Sequence, residues 1–90
     1  MIDVKEAVQI GREFLNNIVG KDEVTNIRVE EVEFSTHEGD LVHNLWEITL
    51  SYLPANPHPL IEGEGKRLYK TLFVNATNGE VSSMKIRELV

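Results

Sequence analysis

The sequence predicts an α+β domain in which one N-terminal helix packs on a four-stranded antiparallel meander sheet, in two layers. Apolar residues recur with helical spacing in residues 4–19. From residue 27 onward they mostly alternate with polar residues, and segments rich in Gly, Pro or Asn separate the alternating runs. Because consecutive strands usually pair antiparallel with their neighbours, this order of elements indicates a meander.

The predicted helix runs from Val4 to Val19. Its apolar stripe comprises Val4, Ala7, Val8, Gly11, Phe14, Leu15 and Ile18. Asp3 stands at the N-cap, Glu6 completes a capping-box pattern, and Gly20 is placed to end the helix. A glycine inside a helix costs about 1 kcal/mol relative to alanine, so Gly11 predicts a close approach of the helix to its neighbour.

The first strand follows a polar segment, residues 21–26, which is predicted to be a loop. Its apolar residues fall in two pairs that are out of phase by one residue, Ile27 with Val29 and Val32 with Phe34. A β-bulge near Glu30-Glu31 would return both pairs to one face. Residues 37–40 then predict a hairpin turn around a glycine.

The second strand is predicted at residues 42–53 and has one apolar and one polar face, which is typical of a central strand with a solvated back. The third strand, residues 66–75, carries apolar residues on both faces, so the sequence leaves open which face meets the helix. In the last strand, residues 80–88, Val81 is out of phase with Met84 and Ile86, which predicts a second bulge.

Composition indicates a single domain, residues 1–90, and excludes several classes of protein. The chain has no cysteine and a formal net charge of −6, and its scattered Lys and Arg residues do not form the basic patch that nucleic-acid binding requires. No apolar run reaches the roughly 20 residues of a membrane helix. The N-terminus lacks the apolar core of a signal peptide, so a cytoplasmic location is expected, although an upstream leader is compatible with the sequence.

No catalytic, cofactor-binding or metal site is predicted. The three histidines, His37, His43 and His58, have no metal-ligand spacing and are expected in exposed turns or on the solvated strand face. The acidic run that includes Glu30, Glu31, Glu33 and Glu38 predicts a solvated sheet face. Asn75 begins a glycosylation sequon, but the turn itself favours Asn at this position, so the turn interpretation is preferred and modification is left open.

Residues 74–81 read Val-Asn-Ala-Thr-Asn-Gly-Glu-Val, with Asn78-Gly79 suited to positive φ. This stretch resembles the Asp-Ala-x-Thr-Gly-(Glu/Lys)-Val turn of PepSY and PepSY-like domains, with Asn75 in place of the Asp and Asn78 in place of the Thr. Residues 5–15 and 45–53 also resemble that family's opening helix and central strand. The resemblance implies a cystatin-like fold without catalytic residues, found in peptidase propeptides where an inhibitory or chaperone role is proposed.

Two functional hypotheses follow from the sequence. The first is a non-enzymatic protein-binding or regulatory module, for example a peptidase-inhibitor-like domain. Its partner would be another protein or a second copy of the chain. Its candidate contact is the proline-rich loop of residues 54–65, which offers Pro57, His58, Leu60 and Ile61, unless these residues pack over the core. The second is a small-ligand protein or enzyme with a pocket between helix and sheet, lined by Trp46, Tyr52, Tyr69 and Phe73.

Overall fold

In a computed structural model of the chain, residues 1–37, 43–55 and 66–87 are described. One helix, α1, is followed by four strands, with bounds α1 Val4–Val19, β1 Val24–His37, β2 His43–Pro54, β3 Leu68–Asn75 and β4 Val81–Ile86. The strands form one sheet in the order β1-β2-β3-β4, and all neighbours are antiparallel. The helix lies on one face of this sheet, so the predicted α+β arrangement is confirmed. Most of the predicted turn at residues 37–40 lies outside the described residues.

Helix α1 begins and ends where the sequence predicts. The Asp3 side chain accepts a hydrogen bond of 2.8 Å from the backbone N–H of Glu6, which satisfies one of the free donors of the first turn. At the other end Gly20 has a φ of 105° and donates its N–H to the carbonyl of Asn16. Since side chains disfavour that φ, the glycine allows the chain to turn directly toward β1.

The core lies between the buried stripe of α1 and one face of the two central strands. The helix contributes Ala7, Gly11 and Leu15, and the sheet contributes the fully buried residues Ile48, Leu50, Leu72 and Val74. The open question about β3 is thereby answered, because Leu72 and Val74 face the helix. Burying a Leu, Ile or Val side chain contributes about 1.5–3 kcal/mol, so this face outweighs the other as the packing surface.

Strand β1 contains two register shifts against β2. The shift between Val29 and Glu31 confirms the predicted bulge at Glu30. The other lies between Thr25 and Arg28, where Asn26 has a φ of 53°. The prediction of a loop through residue 26 is therefore wrong: the chain is already extended from Val24, and an asparagine, which tolerates positive φ, absorbs the irregularity.

A further bulge lies between β3 and β4. Phe73 pairs with Ser83 but Val74 pairs with Val81, so Ser82 has no partner of its own. This confirms the bulge that the phase change in the sequence predicts. As a result both Val81 and Met84 pack against the core.

The turn between β3 and β4 is stabilised by hydrogen bonds within it. The Asn75 side-chain oxygen accepts hydrogen bonds from the N–H groups of Thr77 and Asn78, at 2.8 and 3.1 Å. Of the pair predicted to share positive φ, only Gly79 has it, with a φ of 78°. The prediction is therefore wrong for Asn78, whose side chain instead accepts a bond from the N–H of Glu80. The turn is therefore stabilised by hydrogen bonds from backbone N–H groups to asparagine side chains.

The buried residue Ala76 links this turn to the chain in front of α1. Its carbonyl accepts a hydrogen bond of 2.6 Å from the N–H of Ile2, and its own N–H donates to the carbonyl of Asn44. The Trp46 indole N–H donates to the carbonyl of Ile2 at 2.9 Å. The backbone N–H of Ile2 is therefore bonded to the β3–β4 turn and its carbonyl to a side chain of β2, which sets where the helix begins over the sheet.

Two glycine-to-alanine substitutions should have opposite effects. A Cβ at Gly79 would lie 2.7 Å from Cδ1 of Ile2 and would be held at positive φ, so we expect Gly79→Ala to lower the free energy of unfolding by about 1–2 kcal/mol. A Cβ at Gly11 would lie 3.8 Å from side-chain atoms of Ile48 and Leu50, an ordinary contact. The close approach predicted to require Gly11 is therefore wrong, and Gly11→Ala should raise the free energy of unfolding by up to about 1 kcal/mol.

Urea unfolding of the two variants and the parent measures both changes. Equal destabilisation by the two substitutions would contradict this account, because it would mean that the helix has no room for a methyl group at position 11.

Candidate functional site

The face of the sheet that points away from α1, here called the open face, carries the candidate site. A shallow cleft of about 30 Å³ lies on it and is lined by Glu31, Glu33, Glu47, Thr49, Thr71 and Arg87. No other described element packs over this face, because α1 lies on the opposite side. The cleft has room for only a few water molecules, whereas small-molecule sites usually measure about 300–1,000 Å³.

Strand geometry brings the three glutamates together. After the bulge at Glu30, alternation places Glu31 and Glu33 on the open face of β1. Glu47 of β2 pairs directly with Glu33 in the register of the two strands. Like charges directly opposite each other in a sheet are destabilising, so this arrangement carries an electrostatic cost in the free chain.

The charge of this cluster is only partly neutralised. Arg87 donates from Nη1 to Glu31 at 2.5 Å and to the Thr49 hydroxyl at 3.1 Å. Among the described residues this is the one ion pair, and Glu33 and Glu47 are left without a cation. The pKa of Glu33 is raised above its ordinary value of 4.5, because its protonated form can donate a hydrogen bond to Glu31 and because the charges of Glu31 and Glu47 repel its carboxylate.

The basic residues of β4 do not complete this neutralisation. Lys85 lies over the ring of Phe73, with Nζ 5.5 Å from the ring centroid, instead of pairing with a glutamate. Uncompensated negative charge therefore gathers around Glu33 and Glu47, because Lys85 lies by Phe73 and Arg87 reaches across the sheet to Glu31.

A second polar cluster lies where β1 begins. Arg67 donates from Nε to the Ser51 hydroxyl at 2.8 Å and from Nη2 to the backbone carbonyls of Asn26 and Ser51. The fully buried Ser51 hydroxyl donates in turn to Glu30 at 2.6 Å. These bonds hold both irregular positions of β1, Asn26 and Glu30, against the central strands. We assign this cluster a structural role, because its hydrogen-bonding groups are occupied with one another.

The structure tests one of the two sets of site residues that the sequence predicts. Pro57, His58, Leu60 and Ile61, the candidate partner contacts, lie outside the described residues. The prediction of a pocket lined by four aromatic residues is wrong. Alternation puts Trp46 and Tyr52 on the helix side and puts Tyr69 and Phe73 on the open face, so the sheet separates the two pairs.

Sequence reasoning identified the acidic run but missed its partners. It treated Glu31 and Glu33 as part of a solvated face, whereas Glu47 and Arg87 join them only through strand pairing. The available signal was the phase of β1: once the bulge at Glu30 is accepted, both glutamates lie on one face. Nothing local in the sequence indicates the contribution of Arg87.

Residues 1–37, 43–55 and 66–87 contain neither a cluster of metal-ligating side chains nor a membrane-spanning helix. No three His, Asp or Glu side chains in those ranges are placed to hold a metal ion. The one helix there is too short and too polar to cross a membrane.

Comparison with known protein families, with curated proteins and with solved structures finds no match to this chain. The resemblance of residues 74–81 to PepSY domains therefore stays a prediction.

The stability of the Glu33→Gln variant should depend on pH. A raised pKa in the folded state means that ionised Glu33 destabilises the fold. This cost is fully present above the folded-state pKa, and it is absent below the ordinary value of 4.5. The variant should therefore unfold at a higher temperature than the parent at pH 7, and the difference should shrink as the pH falls toward 4.

Thermal unfolding at several pH values tests this, with Glu13→Gln on the exposed side of α1 as the matched control. If the two variants gave the same pH dependence, the carboxylates on the open face would not be coupled.

Substitution of Arg67 by lysine tests the second cluster. Lysine keeps the positive charge but lacks the planar fork that bonds to both Asn26 and Ser51. We expect Arg67→Lys to lower the free energy of unfolding by about 2 kcal/mol, since hydrogen bonds to charged groups contribute about 1.5–3 kcal/mol. Arg12→Lys, at an exposed position of α1, should change it little in the same urea titration; equal effects would show that the fork is not needed.

Proposed function

We propose that this chain is a non-enzymatic protein-binding or regulatory module that uses the open face of its sheet. The observation that carries the proposal is the pair of glutamates, Glu33 and Glu47, held opposite each other with no cation among the described residues. Repulsion that weakens the free fold is relieved when a partner brings positive charge. The partner is therefore a protein with a basic contact surface.

The shape of the face also favours a macromolecular partner. A cleft of about 30 Å³ is too small to enclose an organic ligand, whereas a broad sheet surface can contact another chain. The net charge of −6 adds long-range attraction for a basic partner, which raises the association rate at low salt. In the described part of the cleft, the Thr49 and Thr71 hydroxyls bond to each other and Arg87 bonds to Glu31 and Thr49, so no described nucleophile and base are in contact.

The resemblance to PepSY domains supports a regulatory role within this proposal. In that family the domain occurs in peptidase propeptides, where an inhibitory or chaperone role is proposed. A peptidase-inhibitor-like activity is consistent with a small cystatin-like domain that binds a larger protein through its sheet.

Affinity capture with the purified chain tests the proposal. A protein that binds through the open face should be retained by the parent and by a Glu13→Gln/Glu23→Gln control, but lost with Glu33→Gln/Glu47→Gln. Both double variants remove the same charge, so the comparison separates the site from overall charge. Mass spectrometry of the eluates gives the result: no protein that distinguishes the two variants would overturn the proposal.

A further inference from the structure

Strand β1 is one edge of the sheet, and the second half of that edge is regular. From Glu31 to His37 it pairs with β2 without a register shift. It has β2 on one side, and no described strand on the other. Such a strand presents a row of N–H and C=O groups that can pair with an additional strand.

The other parts of the two edges are unsuited to this pairing. The first half of β1 contains both bulges, at Asn26 and Glu30, which interrupt a regular row of backbone groups. Strand β4 is short and has its own bulge at Ser82. Bulges of this kind are a common means by which proteins keep sheet edges from pairing. The segment of residues 31–37 is therefore the edge with the longest regular stretch among the described strands.

The two faces of this segment differ in chemistry. On the open face it carries Glu31 and Glu33. On the helix side it carries Val32 and Phe34. The ring of Phe34 packs edge-on against that of Trp46, with the ring centroids 4.9 Å apart, but Phe34 remains 47% exposed. In an added strand, successive side chains would meet these two faces in turn.

We propose that residues 31–37 accept an extended segment of another protein as an additional strand, and that basic and apolar residues alternate in this segment. Basic side chains would lie beside Glu31 and Glu33, and apolar ones would cover the exposed part of Phe34. Backbone hydrogen bonds supply affinity in this mode of binding, and the alternating side chains supply specificity. The inference rests on the proposed function of the open face and names the class of segment that it binds.

A second copy of this chain fits the same edge poorly. If residues 31–37 of two copies paired antiparallel over their full length, Glu33 of one copy would lie diagonally across from Glu33 of the other, and the two acidic faces would adjoin. Like charges at neighbouring cross-strand positions destabilise such a pair. A basic segment of a different protein is therefore the occupant that the charges favour.

Two heptapeptides of identical composition test the proposal with the full chain. One has the alternating order Lys-Val-Lys-Phe-Lys-Val-Lys, and the other groups its four lysines before its three apolar residues. We expect the alternating peptide to bind at least about tenfold more tightly, a difference of about 1.4 kcal/mol. It should also slow hydrogen exchange of the amides of residues 31–37. Trp46, the only tryptophan of the chain, lies against Phe34 and provides a fluorescence signal for the titration.

Two alanine variants test whether the peptide binds at the β1 edge. Phe34→Ala should weaken the alternating peptide, whereas Ile18→Ala, at an exposed apolar position of α1, should not. Equal binding of both peptides, with loss in Glu33→Gln/Glu47→Gln, would overturn strand addition and leave the acidic binding face standing. Protection of β4 in place of β1, or no binding of either peptide, would also overturn strand addition. The affinity capture then decides the proposed function independently.

Discussion

The packing of Ile48 and Leu50 against the buried stripe of α1 is the interaction on which the rest of the structure depends. These two residues lie on the same face of the central strand, so the residues between and beside them must point the other way. Glu47, Thr49 and Ser51 are therefore directed to the open face by the same alternation that buries the core. The proposed binding surface and the core therefore lie on opposite faces of one strand.

The two bulges of β1 keep its apolar residues on the helix side and its glutamates on the open face. Without the bulge at Glu30, Val29 and Val32 would lie on opposite faces, and either one apolar residue or one of the glutamates would be on the wrong side. The irregularity at Asn26 lets β1 start close to the end of the helix and is held in place by Arg67. The bulge at Glu30 thus places Glu31 and Glu33 on one face, and hydrogen bonds from Arg67, which directly precedes β3, stabilise the irregularity at Asn26.

The acidic cluster on the open face carries an electrostatic cost for the fold. Glu33 is flanked by two carboxylates, and the one arginine nearby pairs with Glu31. A sequence selected for stability alone would place a neutral or basic residue opposite Glu47. Retaining the repulsion is understandable if a partner supplies the missing charge, since natural proteins depart from local stability rules mainly where they function.

The sequence by itself determined the helix with its cap, the four strands in order, and the bulges at Glu30 and Ser82. These features follow from local hydrogen bonding and from the phase of apolar residues, which short stretches of sequence record directly. Only the tertiary structure decided which face of β3 meets the helix, that an asparagine with positive φ lies within β1, that Glu47 lies opposite Glu33, and that Arg87 pairs with Glu31. Each of these depends on contacts between residues far apart in the chain, where packing and strand register override local preference.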